Sequence, residues 1–145
     1  MIFKEPISVS LPAQMLYVPM FRRFIADVLN RVGFSDEFAY KTEIVIDELC
    51  TNAILYGSST STSRITVELD VTDDSIELSV KDEGVDRDSI DRLKRIVNSS
   101  ADVEIESGQS NMGLNIVKSL ADEVEIIVGD DGFTAIRVIR RRVDY

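Results

Sequence analysis

Two polar side chains stand one helical turn apart in the segment IDELCTNAILYG. Glu48 and Asn52 are four residues apart, so a helix would place them on one face. An amide oxygen can coordinate Mg²⁺, and a neighbouring carboxylate can accept the proton of an attacking hydroxyl or water. Because the residues around them are largely apolar, burial of this pair would require hydrogen-bonding partners. The spacing is compatible with a metal-assisted proton-transfer site, and taken alone it is equally expected of a helix edge with two solvated polar groups.

A second candidate group closes a predicted strand, in the run VKDEG. The Asp82 carboxylate, at the end of the strand, can accept a hydrogen bond from an exocyclic amine such as that of adenine. Gly84 lacks a side chain and would let a ring approach the backbone. The alternative is that Asp-x-Gly forms an ordinary turn.

A third candidate is a Gly/Ser-containing loop that leads into a helix, SGQSNMGLNIV, with Gly108 and Gly113 as its glycines. Backbone N–H groups at a helix N-terminus bind anions, and a triphosphate is a suitable one. The chain contains neither G-x-x-x-x-G-K-[ST] nor G-x-G-x-x-G. P-loop, dinucleotide-binding and protein-kinase fingerprints are therefore excluded.

The composition excludes several other chemistries. The 145 residues contain no histidine and one cysteine, Cys50, which rules out Ser-His-Asp triads, His-ligated zinc, thiolate zinc clusters and phosphohistidine on this chain. A formal net charge of −10 argues against direct binding to nucleic acid or to an anionic membrane. A lone cysteine, no bilayer-length apolar run and no secretion signal indicate a cytoplasmic protein.

Hydrophobic periodicity predicts the elements that must position these residues. The first helix is predicted from near Val18, with the apolar residues Leu16, Met20, Phe24, Val28 and Val32 as its stripe and Gly33 as its stop. Ser35 caps a second helix that runs to Gly57. The remaining predictions are strands over 7–11, 64–71, 75–80, 124–128 and 133–139, a short polar helix near 89–97 and a helix over 112–121.

This order predicts an α+β fold, a two-layer sandwich with helices on one face of a mostly antiparallel mixed sheet. The length predicts a single domain over residues 1–145. The polar stretch over 82–110 is long for a connection in a compact domain, and loops of that kind are usually lids or binding loops. We expect an ATP lid over about residues 90–111.

Together, in this order and spacing, the three groups resemble the GHKL (histidine kinase-like) ATPase superfamily. The runs IDELCTNAILYG, VKDEGVD and SNMGLNIVKSLADEVEI are similar to the three signatures of its anti-sigma-factor serine kinase branch. By position, the resemblance implies that Glu48 is the general base and Asn52 the Mg²⁺ ligand. It further implies the adenine-site residues Asp82, Gly84 and Thr134, the phosphate-site residues Gly113 and Leu114, and the partner-binding residue Arg22.

Two positions depart from the family pattern. Asp86 stands where the second motif usually has a second glycine, and Asn111 replaces a common glycine before Met-Gly while remaining among the expected nucleotide-binding positions. An aspartate in this adenine-site motif could repel phosphates and weaken nucleotide binding.

The resemblance implies an ATP-dependent protein serine kinase that uses Mg²⁺ and also acts as an anti-sigma factor. It would phosphorylate a small antagonist protein on serine, bind a sigma factor and work as a homodimer. One alternative is a non-catalytic, nucleotide-responsive switch protein on the same fold. The other is an unrelated α+β domain in which the motifs coincide by chance.

Overall fold

The computed structural model describes residues 5–56, 62–83, 112–129 and 132–142, with isolated helical positions between 91 and 98. Its strands are β1 (Ile7–Pro12), β2 (Arg64–Val71), β3 (Ser75–Asp82), β4 (Glu123–Val128) and β5 (Thr134–Arg141). Its helices are α1 (Val18–Arg31), preceded by a 3₁₀ turn over Met15–Tyr17, α2 (Asp36–Tyr56) and α3 (Met112–Leu120).

The strands form one sheet in the order β1-β2-β3-β5-β4, and every pairing is antiparallel. Inward residues of β2 and β3 alternate with exposed or half-buried ones, as expected for a sheet covered on one face. The helices supply the rest of the core through side chains such as Ile25, Ile46 and Val117. The predicted α+β architecture is confirmed.

Local signals around the start of α2 match the predicted boundary. Gly33 has φ +101°, a conformation in which a residue without Cβ suffers no steric cost, and it follows α1 closely. The Ser35 hydroxyl accepts a hydrogen bond from the Phe38 backbone N–H at 3.1 Å, so it caps the helix. The chain therefore turns between the two helices where the sequence indicates.

The predicted apolar stripe of α1 is wrong in its first half. The residues that α1 buries are Val18, Phe21, Ile25 and Leu29, whereas Leu16, Met20 and Phe24 are exposed. A strict four-residue spacing advances about 40° around the helix at each step, because each residue turns about 100°. The stripe therefore begins on the exposed side of the helix and winds towards the core, so that only its end, Val28 and Val32, packs there.

A buried arginine ties the sheet to two helices. The Arg140 guanidinium donates to the carbonyl oxygens of Leu120 and Phe38, both at 2.9 Å, and to the Thr42 hydroxyl. It also lies 4.2 Å from the centre of the Phe38 ring. Burial lowers the pKa of Arg140, but these acceptors satisfy the charged group. The contact fixes α2 and the end of α3 relative to β5.

Candidate functional site

Glu48 lies in the second half of α2, on the border of the helix's buried face. Its neighbours Val45 and Leu49 are fully buried, whereas Glu48 itself is half-buried. Burial, with the charge of Asp47 as the second cause, raises the pKa of Glu48 above its usual range. A carboxylate in this setting is a stronger proton acceptor than a solvated one, as a general base requires.

Gly113, in the first turn of α3, lies directly against the Glu48 carboxylate. A Cβ placed on Gly113 would overlap that carboxylate and lie 2.8 Å from its Cδ atom. Only a residue without a side chain allows the two helices to bring these groups together. The structure thus joins two predicted site residues that are 65 positions apart in the sequence.

Asn52 follows Glu48 by one turn of α2 and is also half-buried. Its Nδ2 atom donates a hydrogen bond to the Glu48 backbone carbonyl at 3.0 Å, which orients the amide. Its oxygen, Oδ1, is the amide atom that can coordinate a cation, because amide oxygens are ligands that hard cations accept.

Asp82 and Thr134 form a second pair, at one end of the sheet. They are direct register partners between β3 and β5, with exposed fractions of 8% and 2%. Each continues the helix-facing row of its strand. The Thr134 hydroxyl is buried without a hydrogen-bond partner among the described residues. Leaving such a group unsatisfied costs about 1–3 kcal/mol, so a ligand with a hydrogen-bonding edge fits here.

The first turn of α3 contains the two residues at which the sequence predicts a phosphate site. Gly113 and Leu114 are its second and third residues, so their N–H groups have no carbonyl within the helix to bind. The Leu114 side chain is buried in the core, which leaves only its backbone available to a ligand. Anions bind favourably at such helix starts.

The residues present fit a magnesium–nucleotide. The unsatisfied Thr134 hydroxyl beside Asp82 suits a base edge, and the start of α3 beside Glu48 suits phosphates. Within the described ranges, no group of three or more acidic or thiol side chains could hold a metal ion. A cation bound through Asn52 would therefore depend on water and phosphate oxygens, which is the usual manner of Mg²⁺.

Arg22 lies on α1 and contacts the middle of α2. Its Nη1 atom is 2.6 Å from Asp47 Oδ2, and about a third of each side chain is exposed. The hydrogen bond to Asp47 raises the pKa of Arg22, and the charge of Asp47 adds to it. Asp47 is a residue that the sequence analysis did not single out. It forms an ion pair with Arg22, and its charge raises the pKa of Glu48, the next residue in the chain.

Two predicted nucleotide-binding residues, Gly84 and Asn111, lie outside the described residues, as do Asp86 and most of the predicted lid. The chain just before Gly84 shows a contact that no motif indicated. The buried Ser63 hydroxyl donates to Glu83 Oε2 at 3.1 Å. This bond joins the residue before β2 to the residue after β3, and only the folded register brings the two together.

A family model described as "Histidine kinase-like ATPase domain" matches residues 11–140. The chain belongs to this family. The match confirms the resemblance identified from the three motifs and implies a nucleotide-binding domain. Across the described helices, none is long and apolar enough to cross a membrane.

Curated relatives show which members of this family the chain resembles. The chain is similar to "Serine-protein kinase RsbW" of Bacillus thuringiensis subsp. konkukian, with 31% identity over 135 residues. The alignment covers 91% of this chain and 82% of the relative. The protein of the same name from Bacillus cereus strain ATCC 10987 is 29% identical over 133 residues, with the same coverage.

Two solved structures share the fold. The SiaB–SiaC complex from Pseudomonas aeruginosa aligns with a TM-score of 0.70 at 15% identity, over 92% of this chain and 88% of that one. The RsbU and RsbW domains of Rv1364c from Mycobacterium tuberculosis align with a TM-score of 0.67 at 19% identity. That alignment covers 98% of this chain and 35% of the longer one.

Proposed function

We propose that the protein is an ATP-dependent protein serine kinase, with residues 1–145 acting as one catalytic domain. The observation that carries this proposal is the contact of the Glu48 carboxylate with Gly113 at the start of α3, one helical turn from Asn52. A proton acceptor and a phosphate-binding helix start then share one location. The similarity to proteins named serine-protein kinases supports the same activity.

Each residue has a separable role. Asp82 and Thr134 hold the adenine edge, while the N–H groups of Gly113 and Leu114 bind phosphate oxygens. Mg²⁺, when bound at Asn52, neutralises phosphate charge. Glu48 takes the proton of the attacking serine hydroxyl, as that oxygen bonds to the γ-phosphorus and ADP leaves. Phosphoryl transfer depends largely on positioning and electrostatic stabilisation, so this small set of groups is sufficient.

The serine belongs to a partner protein. We propose that this substrate is an anti-sigma-factor antagonist, that the kinase also binds a sigma factor, and that it works in the cytoplasm as a homodimer. Arg22, with about a third of its side chain exposed, is the proposed partner contact, because a docking carboxylate can compete with Asp47 for its guanidinium. Since Asp47 is the residue before Glu48, a partner bound at Arg22 would lie close to the base.

The nucleotide-responsive switch that transfers no phosphate is the less favoured function. A switch protein needs the adenine and phosphate contacts but has no use for a proton acceptor. The proximity of Glu48 and Asn52, with burial raising the pKa of Glu48, therefore favours a kinase.

The test is transfer of phosphate from ATP to the cognate antagonist protein, with the modified residue mapped by mass spectrometry. The proposal predicts one phosphoserine, formed only with Mg²⁺. Nucleotide binding without any phosphoserine would instead favour the switch protein.

A further inference from the structure

A groove runs between α1 and the first half of α2, and its lining combines large exposed apolar side chains with charged ones. Met20, Phe24 and Tyr40 line it, with exposed fractions of 65%, 44% and 63%. The buried Ala39 lies at its base, and the groove has a volume of about 630 Å³. Large apolar side chains clustered on a surface usually mark an interaction site.

This groove is separate from the candidate kinase site. Met20 and Phe24 point away from the sheet, since α1 buries a different set of residues against it. On α2, Tyr40 precedes Glu48 by eight residues, which corresponds to about 12 Å along a helix. A ligand in the groove would therefore leave the start of α3 accessible.

The rim of the groove is acidic. Asp27, Asp36 and Glu43 line it together with Arg23, and Asp27 pairs with Arg31 at 3.1 Å, so the carboxylates exceed the guanidinium groups by one. This excess of negative charge agrees with the net charge of −10 of the whole chain. A second copy docking by the same face would bring two acidic rims together, which is unfavourable. A basic partner would meet complementary charge.

We propose that this groove binds an amphipathic helix of a partner protein, with an apolar stripe flanked by lysine or arginine. The apolar stripe would cover Met20, Phe24 and Tyr40, and the basic flanks would face the acidic rim. Two neighbouring helices with apolar side chains along their seam offer the surface that helix-in-groove recognition uses. The proposal goes beyond the kinase function, because it holds whether or not phosphate is transferred.

Three synthetic peptides, each about five helical turns long, test the proposal directly. The first has leucines at helical spacing with lysine flanks, the second has the same leucines with glutamate flanks, and the third is a scrambled form of the first. We expect the first alone to bind, as measured by fluorescence anisotropy. Amide chemical-shift changes on binding should cluster at the groove rather than at the start of α3.

Two variants with exposed changes provide the matched comparison. Phe24→Ser combined with Met20→Ser should weaken binding of the lysine-flanked peptide by roughly tenfold or more, because exposed aromatic anchors dominate such interfaces. Ile127→Ser, at a residue of β4 that is 43% exposed, should leave binding unchanged. Calorimetric binding of Mg-ATP should be the same in wild type and both variants, which separates this result from failure of the kinase site.

Three outcomes would overturn the proposal. Equal binding of the glutamate-flanked or scrambled peptide would show that the groove does not recognise the basic flanks or the apolar stripe of its ligand. Shift changes that map elsewhere would remove the groove as the site. A dimer in sedimentation that the double variant alone converts to monomer would identify a second copy of the chain as the occupant.

Discussion

Replacing Gly113 by alanine should separate stability from catalysis. The added methyl group would meet the Glu48 carboxylate, at 2.8 Å from Cδ and 3.5 Å from Cγ. The obstructing group is the end of a flexible side chain, so Glu48 can rotate away without moving the helices. The general base would then leave its position beside the start of α3.

The variant should keep or raise its melting temperature while its rate of phosphotransfer falls. Alanine is favoured over glycine in a helix by up to about 1 kcal/mol, so the melting temperature should stay level or rise. General-base catalysis contributes about 10²–10⁴-fold, and phosphotransfer should fall by that order. The change in ATP affinity should be much smaller, because Asp82 and Thr134 are untouched.

The assay is the initial rate of phosphate transfer to the antagonist, with thermal unfolding measured on the same samples. Ser119→Ala, on the exposed face of the same helix, is the control and should retain wild-type activity. Glu48→Gln combined with Gly113→Ala should be no slower than Glu48→Gln alone, since both changes remove one function. Wild-type activity in Gly113→Ala, or independent losses in the double variant, would refute the reasoning.

Three further predictions concern the nucleotide pocket and the base. Thr134→Val should weaken ATP binding roughly 2- to 12-fold in calorimetry, the value of one neutral hydrogen bond, without lowering the melting temperature, because an unsatisfied buried hydroxyl is removed. Unchanged affinity would exclude this hydroxyl from the pocket. Asp82→Asn should weaken ATP binding at least several-fold, since a hydrogen bond to a charged group contributes about 1.5–3 kcal/mol, and equal affinity would argue against adenine at this strand end. Phosphotransfer should fall as the pH drops through the raised pKa of Glu48, because the protonated carboxyl accepts no proton. Asp47→Asn removes one cause of that raised pKa, so the fall in rate on the acid side should move to lower pH. A shift to higher pH, or no shift, would contradict the assignment of Glu48 as the base.

The sequence predicts the elements well where local signals dominate. Ser35 and Gly33 mark a helix start and a helix stop by cap chemistry that depends only on neighbouring residues. The face of α1 is different, because it depends on where the sheet lies. Phe24 and Phe21 are both apolar aromatic residues of one helix, and only the tertiary packing decides that Phe21 is buried.

In the candidate site, too, some features depend on local sequence and others on tertiary packing. The spacing of Glu48 and Asn52 is local, so their common face could be predicted. The pairing of Asp82 with Thr134 requires β3 to lie beside β5, a neighbour that is not next in the chain, and single-sequence reasoning has no physical signal for that register. The roles of all these residues in phosphate transfer remain predictions.

The most direct measurement of the proposed kinase activity is the rate of radiolabel transfer from ATP to the antagonist by wild type, Glu48→Gln and Glu37→Gln. Glu37 lies on the same helix, is exposed and pairs with Lys41, so its variant controls for loss of one negative charge. We predict that Glu48→Gln still binds Mg-ATP but transfers about 10²–10⁴-fold more slowly, while Glu37→Gln matches wild type. Equal transfer by wild type and Glu48→Gln would contradict the assignment of Glu48 as the base.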